Sequence, residues 1–240
     1  GKIRAAAPPG ARCAPMPTSN QRPAAPPSSD GGVPRAAQVI SIRDLKTHCS
    51  TCSMRELCLP VGLSPDDLKL VDAAVRRRTR LKKGETLYSA GQPFAALYAV
   101  RLGTLKTTVL SEDGRNQVAG YHLQGDLIGL DGLGTDRHGC EAVALEDSEV
   151  CAIPFEQLEE LARSVPALQH NLHQFLAREI SRDHGIMLVL GSMRAEERLA
   201  SFLVNLSERY HRRGYSSTEF VLRMTREEIG SYLGLKLETV

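Results

Sequence analysis

Apolar and polar positions change their period along the chain, and each change marks a segment with a different predicted structure. Between about residues 79 and 155, short apolar runs alternate with turn-forming residues, among them Gly84, Gly91 and Gly103. Short strands at this spacing are typical of an antiparallel β-roll or barrel. The predicted strands are residues 85–88, 96–100, 103–110, 117–123 and 148–153.

Helical patterns lie on both sides of the predicted roll. Ser64 followed by Pro65 and two aspartates indicates the start of a helix, because serine caps free backbone N–H groups and proline fits the first helical position. A short helix is predicted over residues 155–161. After Pro166 an apolar pattern continues from residue 168 to about residue 193, which predicts a long helix.

One face of this long helix has the spacing of a coiled-coil interface, and we call it the dimer face. Its residues follow one another in steps of 4, 3, 4 and 3: Leu176, Ile180, Asp183, Met187 and Leu190. A helix packed on its own domain is the alternative. Asp183 favours a switchable dimer, because the two acids of a symmetric pair would face and repel each other. The predicted dimer switch is Ile180, Asp183, Met187 and Leu190.

The C-terminal segment combines an amphipathic helix, predicted over residues 195–203, with a short strand over 220–222. Thr225 and Glu228 then form the T-x-x-E pattern of a capping box, which starts another helix.

A turn and a second helix complete this pattern. Gly234 opens the turn, and the second helix is expected from Lys236 onward. This order is typical of a helix-turn-helix, whose second helix enters the DNA major groove. Because the sequence ends at Val240, inside that helix, we expect the DNA-binding domain to be truncated and the chain to be a fragment.

Composition narrows the class of protein. The 240 residues are sufficient for one large or two modest domains, with 42% hydrophobic and 24% charged residues as in ordinary globular proteins. The absence of a run of about 20 apolar residues or a signal peptide excludes a membrane protein and favours the cytoplasm. A net charge of +2 gives little support for nucleic-acid binding, so the helix-turn-helix pattern carries that prediction. Residues 1–38 hold eight of the thirteen prolines and one acid, which predicts a disordered tail.

Three of the six cysteines are crowded together. Cys49, Cys52 and Cys58 form a C-x2-C-x5-C pattern, which in a chain without a secretory signal suggests metal or redox chemistry. Three loop ligands need a fourth, and Cys140 and Cys151 are both candidates. The spacing itself leaves an iron–sulfur cluster, zinc and a dithiol open. A dithiol oxidoreductase is the weakest of these, because the chain has no alternating α/β pattern.

These features occur together with several longer motifs: residues 94–101 (FAALYAVR), 120–129 (GYHLQGDLIG), 150–155 (VCAIPF), 195–200 (AEERLA) and 224–226 (MTR). In this order they resemble the CRP/FNR family of bacterial transcription regulators, in particular its oxygen-sensing FNR (ANR-type) branch. The resemblance covers about residues 40–240.

The resemblance implies an α+β fold and no enzymatic activity. The expected parts are an N-terminal antiparallel β-roll of the jelly-roll, cyclic-nucleotide-binding-like type, a long dimerisation helix and a C-terminal winged helix-turn-helix. The implied domains are a tail at 1–38, a cluster-binding cysteine loop at 39–62, the roll at 63–163, the dimerisation helix at 164–193 and the DNA-binding domain at 194–240.

The resemblance also implies a cofactor, an oxygen-labile [4Fe-4S] cluster held by Cys49, Cys52, Cys58 and Cys151. Cys140 would then be an extra thiol near the roll surface. With the cluster intact, the protein would bind palindromic promoter DNA as a homodimer and regulate anaerobic genes. Oxygen would degrade the cluster, and the protein would then leave the DNA. The alternative is a regulator of the same fold that senses zinc or thiol redox state through its cysteines.

The remaining implied contacts concern DNA, RNA polymerase and small ligands. Glu238 matches the base-reading glutamate of the family, and the other expected DNA contacts are Thr225, Arg226, Lys236 and Thr239. Residues 111–114 match a loop that contacts RNA polymerase. The Gly-Glu and Arg-Ser pairs that hold a cyclic nucleotide are missing around residues 128–141, so no cyclic nucleotide is expected.

Overall fold

The computed structural model describes residues 2–4, 48–75, 77–110, 114 and 116–240. Within these residues the strands are β1 (Lys2–Arg4), β2 (Arg77–Leu81), β3 (Thr86–Tyr88), β4 (Ala96–Leu102), β5 (Leu105–Leu110), β6 (Asn116–His122), β7 (Leu127–Ile128), β8 (Glu141–Ala144), β9 (Ser148–Pro154) and β10 (Glu219–Val221). The α-helices of the same described ranges are α1 (Pro65–Ala74), α2 (Phe155–Ser164), α3 (Pro166–Ser192), α4 (Ala195–His211) and α5 (Arg226–Leu233). Of the predicted disordered tail, β1 is a short strand paired with β10, and the rest lies outside the described residues.

Eight strands form the predicted roll as two four-stranded antiparallel sheets. The strand orders are β2-β9-β4-β7 and β3-β8-β5-β6. All five predicted strands are found, whereas β2, β7 and β8 were not predicted. The sequence of β2 is RRTRL, which lacks an apolar alternation because the strand lies at a sheet edge, and β7 has only two residues.

Alternation of side chains along the first sheet creates two cores. On β4, Val100 packs between the two sheets, while Leu97 and Ala99 pack on the opposite face against helices α1, α2 and α3. On β9, Val150 likewise belongs to the inner core and Ile153 to the helix-side core. Successive side chains of a strand point to opposite faces, so the period of two assigns each residue to its core.

The predicted helix boundaries have the expected caps. The Ser64 side chain accepts from the Asp67 amide at the start of α1. Thr225 and Glu228 form the predicted capping box of α5, and Gly234 ends that helix in the left-handed conformation. The predicted second helix of the helix-turn-helix is here a single turn at residues 237–239, with two backbone bonds to the Lys236 carbonyl.

The C-terminal helices form a third core with the outer face of the second sheet. Phe202, Leu206 and Ile229 pack there with Val118 and Tyr121 of β6. The structure therefore confirms the predicted combination of an antiparallel roll, a long helix and a C-terminal helix-turn-helix. No helix in the described part of the chain is long and apolar enough to span a bilayer.

Candidate functional site

The three clustered cysteines lie on a segment made of two short 3-10 turns, which we call the cysteine loop (residues 49–58). The turns cover Cys49–Thr51 and Arg55–Leu57. At the start of the loop, the Cys49 amide donates to the Asp72 carboxylate of α1. The Ser50 hydroxyl donates to the other oxygen of the same carboxylate at 3.1 Å. No motif in the sequence pointed to Asp72, which anchors this end of the loop.

The residues just after the loop are held by the long helix, and the end of the loop itself packs on the roll. Asn171 of α3 is buried and its Nδ2 donates to the carbonyls of Leu59 and Val61, at 2.9 and 2.8 Å. Leu57 packs on Gly125, where a Cβ would lie only 2.8 Å from the Leu57 Cβ. The cysteine loop is thus packed between α1, α3 and the turn that follows β6.

The two candidates for a fourth ligand, Cys151 and Cys140, lie in different cores of the roll. Cys151 of β9 belongs to the helix-side core together with Cys49 and Cys58. All four predicted ligands, Cys49, Cys52, Cys58 and Cys151, line one cavity of about 30 Å³.

Cys140 lies elsewhere, in the inner core of the roll. Its Sγ lies 3.9 Å from the Tyr88 hydroxyl. It is only 7% exposed, so the prediction that it lies near the roll surface was wrong. The strand alternation that places Val150 inside the roll directs the neighbouring Cys151 to the other face.

Burial disfavours the thiolate form of Cys49, Cys58 and Cys151. Burial raises the pKa of Cys58 to about 12. Burial, and then repulsion from Cys58 and Asp72, raises the pKa of Cys49. Burial also raises the pKa of Cys151, against the opposing effect of Arg78 and Arg101. Thiolates here therefore need a positively charged partner such as a metal centre.

Four cysteines are a donor set that both a structural zinc ion and an iron–sulfur cluster accept. Within the described residues, no three His, Cys, Asp or Glu side chains lie close enough together to share one metal ion. In a [4Fe-4S] cluster each thiolate binds a different iron, so the four sulfurs lie farther apart than around one zinc ion. Four cysteines around an apolar cavity are the ligands such a cluster takes.

A charged group beside the cysteines was missed by the sequence analysis. Glu149 of β9 is buried and lies near three arginines of neighbouring strands: Arg101 at 2.6 Å, Arg80 at 3.4 Å and Arg78 at 3.9 Å. Arg78 lies directly opposite Cys151 in the sheet. No local pattern identifies this group, because strand pairing alone brings together residues that are 48 to 71 positions apart in the sequence.

The dimer face of α3 is exposed at its centre and partly covered at its ends. Ile180 is 56% and Met187 62% exposed, and Asp183 is exposed between them without an ion pair in the described part of the chain. Leu176 and Leu190 are half-buried. A helix with large apolar side chains exposed at coiled-coil spacing is suited to pairing with a second copy.

The predicted DNA contacts all lie at the surface. Thr225 and Arg226 begin α5, and Lys236, Glu238 and Thr239 lie in the turn after it. The predicted RNA polymerase loop, residues 111–114, lies outside the described residues except for Gly114.

Comparison with known proteins agrees with this architecture. Residues 78–165 match the cyclic nucleotide-binding domain, and residues 197–240 match the Crp-like helix-turn-helix domain. The chain is 48% identical over 193 residues to the transcriptional regulatory protein btr of Bordetella pertussis. The matched region covers 80% of each of the two chains. It is 46% identical over 205 residues to the transcriptional activator protein anr of Pseudomonas aeruginosa. That match covers 85% of this chain and 84% of the relative.

A solved structure shows the same arrangement. FixK2 from Bradyrhizobium japonicum superposes with a TM-score of 0.62 at 32% identity, covering 68% of this chain and 79% of that chain. A β-roll, a long helix and a helix-turn-helix define a DNA-binding transcription regulator and not an enzyme. The chain belongs to the CRP/FNR family of transcription regulators, with relatives of the FNR and ANR type.

Proposed function

We propose that this regulator responds to oxygen through a [4Fe-4S] cluster bound by Cys49, Cys52, Cys58 and Cys151, and that it controls anaerobic genes. The observation that carries the proposal is that these four cysteines line one apolar cavity, while Cys140 lies in a different core. When bound, the cluster supplies an oxygen-sensitive link between the cysteine loop and strand β9.

The cysteine loop is well placed to influence the dimer face, because it contacts the same helix. Asn171 of α3 donates to two backbone carbonyls just after the loop, about two and a half turns before Ile180. A shift of the loop therefore changes the packing at the base of α3. The cavity of about 30 Å³ holds one or two waters, so binding a cluster requires the loop to move outward from the sheet.

Repulsion between two Asp183 carboxylates opposes pairing of the dimer face, and the exposed Ile180 and Met187 favour it. These opposed contributions give an equilibrium that a modest bias can shift. A ligand whose binding free energy differs by about 5.5 kcal/mol between the two states moves such an equilibrium from 1:99 to 99:1. We propose that the homodimer, with Thr225, Arg226, Lys236, Glu238 and Thr239 at the DNA, is the active form.

The remaining assignments follow from this function. The proposed domain limits are 39–62, 63–163, 164–193 and 194–240, as in the sequence analysis. The regulator acts in the cytoplasm, where bacterial promoters and RNA polymerase are found. We expect no cyclic nucleotide, because Tyr88, Val100 and Ile128 fill the space between the two sheets of the roll.

The test is anaerobic purification followed by iron and acid-labile sulfide analysis, with visible spectra before and after air is admitted. We expect about four irons and four sulfides per chain, with a spectrum that bleaches in air. Cys151→Ala should lose the cluster, and the matched control Cys140→Ala should retain it. Zinc, or a spectrum that air does not change, would refute the oxygen-sensor proposal and favour a zinc or thiol-redox regulator.

A further inference from the structure

The wall of the cysteine cavity is apolar except for the cysteines and two arginines. Among the described residues that line it, Arg55 and Arg101 carry charge and no carboxylate is present. A buried charge is stable only beside a partner of opposite sign. Both arginines have a carboxylate partner behind the wall, Glu56 for Arg55 and Glu149 for Arg101. The charged groups among the lining residues themselves are therefore positive and face no lining carboxylate.

Glu149 holds the guanidinium of Arg101 at this wall of the cavity. Its Nη1 donates to Oε1 of the buried Glu149 at 2.6 Å. Its Nε is buried and has no hydrogen-bond partner in the described part of the chain. Buried donors nearly always have a partner, so an orphaned donor indicates an acceptor that the protein atoms do not supply.

Arg101 lies at a β-bulge of β4, two residues from Ala99, which also lines the cavity. Val100 pairs with Val150 and Leu102 with Glu149, so Arg101 is the extra residue on β4. Bulges are frequent beside functional sites. Burial would lower the pKa of Arg101, but Glu149, with smaller contributions from Cys52 and Cys151, raises it above its ordinary value.

We propose that Arg101 is a positioning residue for the cluster: its Nε–H donates into the cavity to the anionic, thiolate-ligated group, while Glu149 fixes the guanidinium. The inference rests on the proposed function. Four thiolates outweigh the positive charge of an iron–sulfur core, so a nearby cation and N–H donor stabilise the assembly. Groups that support metal ligands in this way typically contribute 10–100-fold to metal affinity.

The test compares three variants of the anaerobically purified protein with wild type. In Arg101→Gln, an iron chelator should remove the visible absorption roughly tenfold faster or more. Its reduction potential should be more negative, because a positive charge near the cluster has been lost. Arg101→Lys keeps the charge and should recover part of both properties. Arg80→Gln is the matched control, since Arg80 also contacts Glu149 but is 75% exposed, and it should stay within about twofold of wild type.

The possible outcomes separate the two proposals. If wild type holds iron and sulfide but Arg101→Gln matches its loss rate and potential, the role of Arg101 is refuted and the cluster stands. Equal effects of Arg80→Gln and Arg101→Gln would also refute it, because both would then act through Glu149. If wild type holds no cluster, both proposals fail. Thermal unfolding of each metal-free variant identifies a folding defect. If Arg101→Gln has such a defect, the iron-loss rate and the reduction potential of Arg101→Lys decide whether Arg101 positions the cluster.

Discussion

The substitution Asp126→Asn tests whether one buried carboxylate joins the DNA-binding domain to the roll. Asp126 follows β6, and its two oxygens accept from Arg209 of α4 at 2.7 Å and from Arg213, just after that helix, at 2.8 Å. The same arginines also donate to the backbone carbonyls of Tyr121 and Gln124. All three charged side chains are largely buried, so removing the carboxylate leaves two cations without their partner.

The magnitude can be bounded in two ways. Burial would raise the pKa of Asp126, but Arg209 and Arg213 outweigh burial and lower it to about 2, against an ordinary value of 3.8. This difference corresponds to about 2 kcal/mol for the charged form. Removing one partner of a buried pair costs about 3–5 kcal/mol. We therefore expect Asp126→Asn to reduce the free energy of unfolding by about 2–5 kcal/mol, which for a chain of this size lowers Tm by roughly 4–20 °C.

The pH dependence has a defined sign. A carboxyl whose folded pKa is lowered stabilises the protein above its unfolded pKa, and this stability is lost as the pH falls through the folded value. The contribution of Asp126 should therefore disappear between about pH 4 and pH 2.

The assay is urea unfolding at pH 7 followed by circular dichroism and by tyrosine fluorescence, whose coincidence checks two-state behaviour. Asp66→Asn is the control, since Asp66 forms an exposed pair with Lys69, and it should leave the midpoint nearly unchanged. If Asp126→Asn unfolds within about 0.5 kcal/mol of wild type, the two ion pairs do not stabilise the docked domain and the reasoning is wrong.

Three further predictions concern the dimer face, the helix-turn-helix and a buried histidine. Asp183→Leu should strengthen dimerisation of the metal-free protein by tenfold or more, measured by sedimentation; an unchanged dissociation constant would show that the carboxylates do not oppose pairing. Thr225→Ala removes the N-cap of α5 and should lower unfolding stability by about 1 kcal/mol, with Thr225→Ser close to wild type. Burial lowers the pKa of His122 to about 3 against an ordinary value of 6.5. Because the unfolded chain binds the extra proton, stability should fall by about 2 kcal/mol from pH 6.5 to pH 5. That slope should be absent in His122→Gln, and a slope equal to that of wild type would contradict the assignment.

The sequence was most informative where the relevant interactions are local. The capping residues Ser64 and Thr225 were predicted because a cap bonds to an amide only three residues away. The long helix and the helix-turn-helix were predicted because helical periodicity repeats within a few residues. The second helix was found only as a turn. The assignments of the four cysteine ligands and of the DNA contacts remain predictions.

The sequence by itself determined the order of the elements, the crowded cysteines and the exposed dimer face. From the residue spacing alone, Cys140 and Cys151 were equal candidates for the fourth ligand, and only the family resemblance favoured Cys151. Only the tertiary structure places Cys151 on the helix side and Cys140 inside the roll, and only it brings Arg101 to the cavity wall and Arg209 to Asp126. The physical reason is that strand register and bulges are decided by pairing between distant segments, and a shift of one residue moves a side chain to the opposite face.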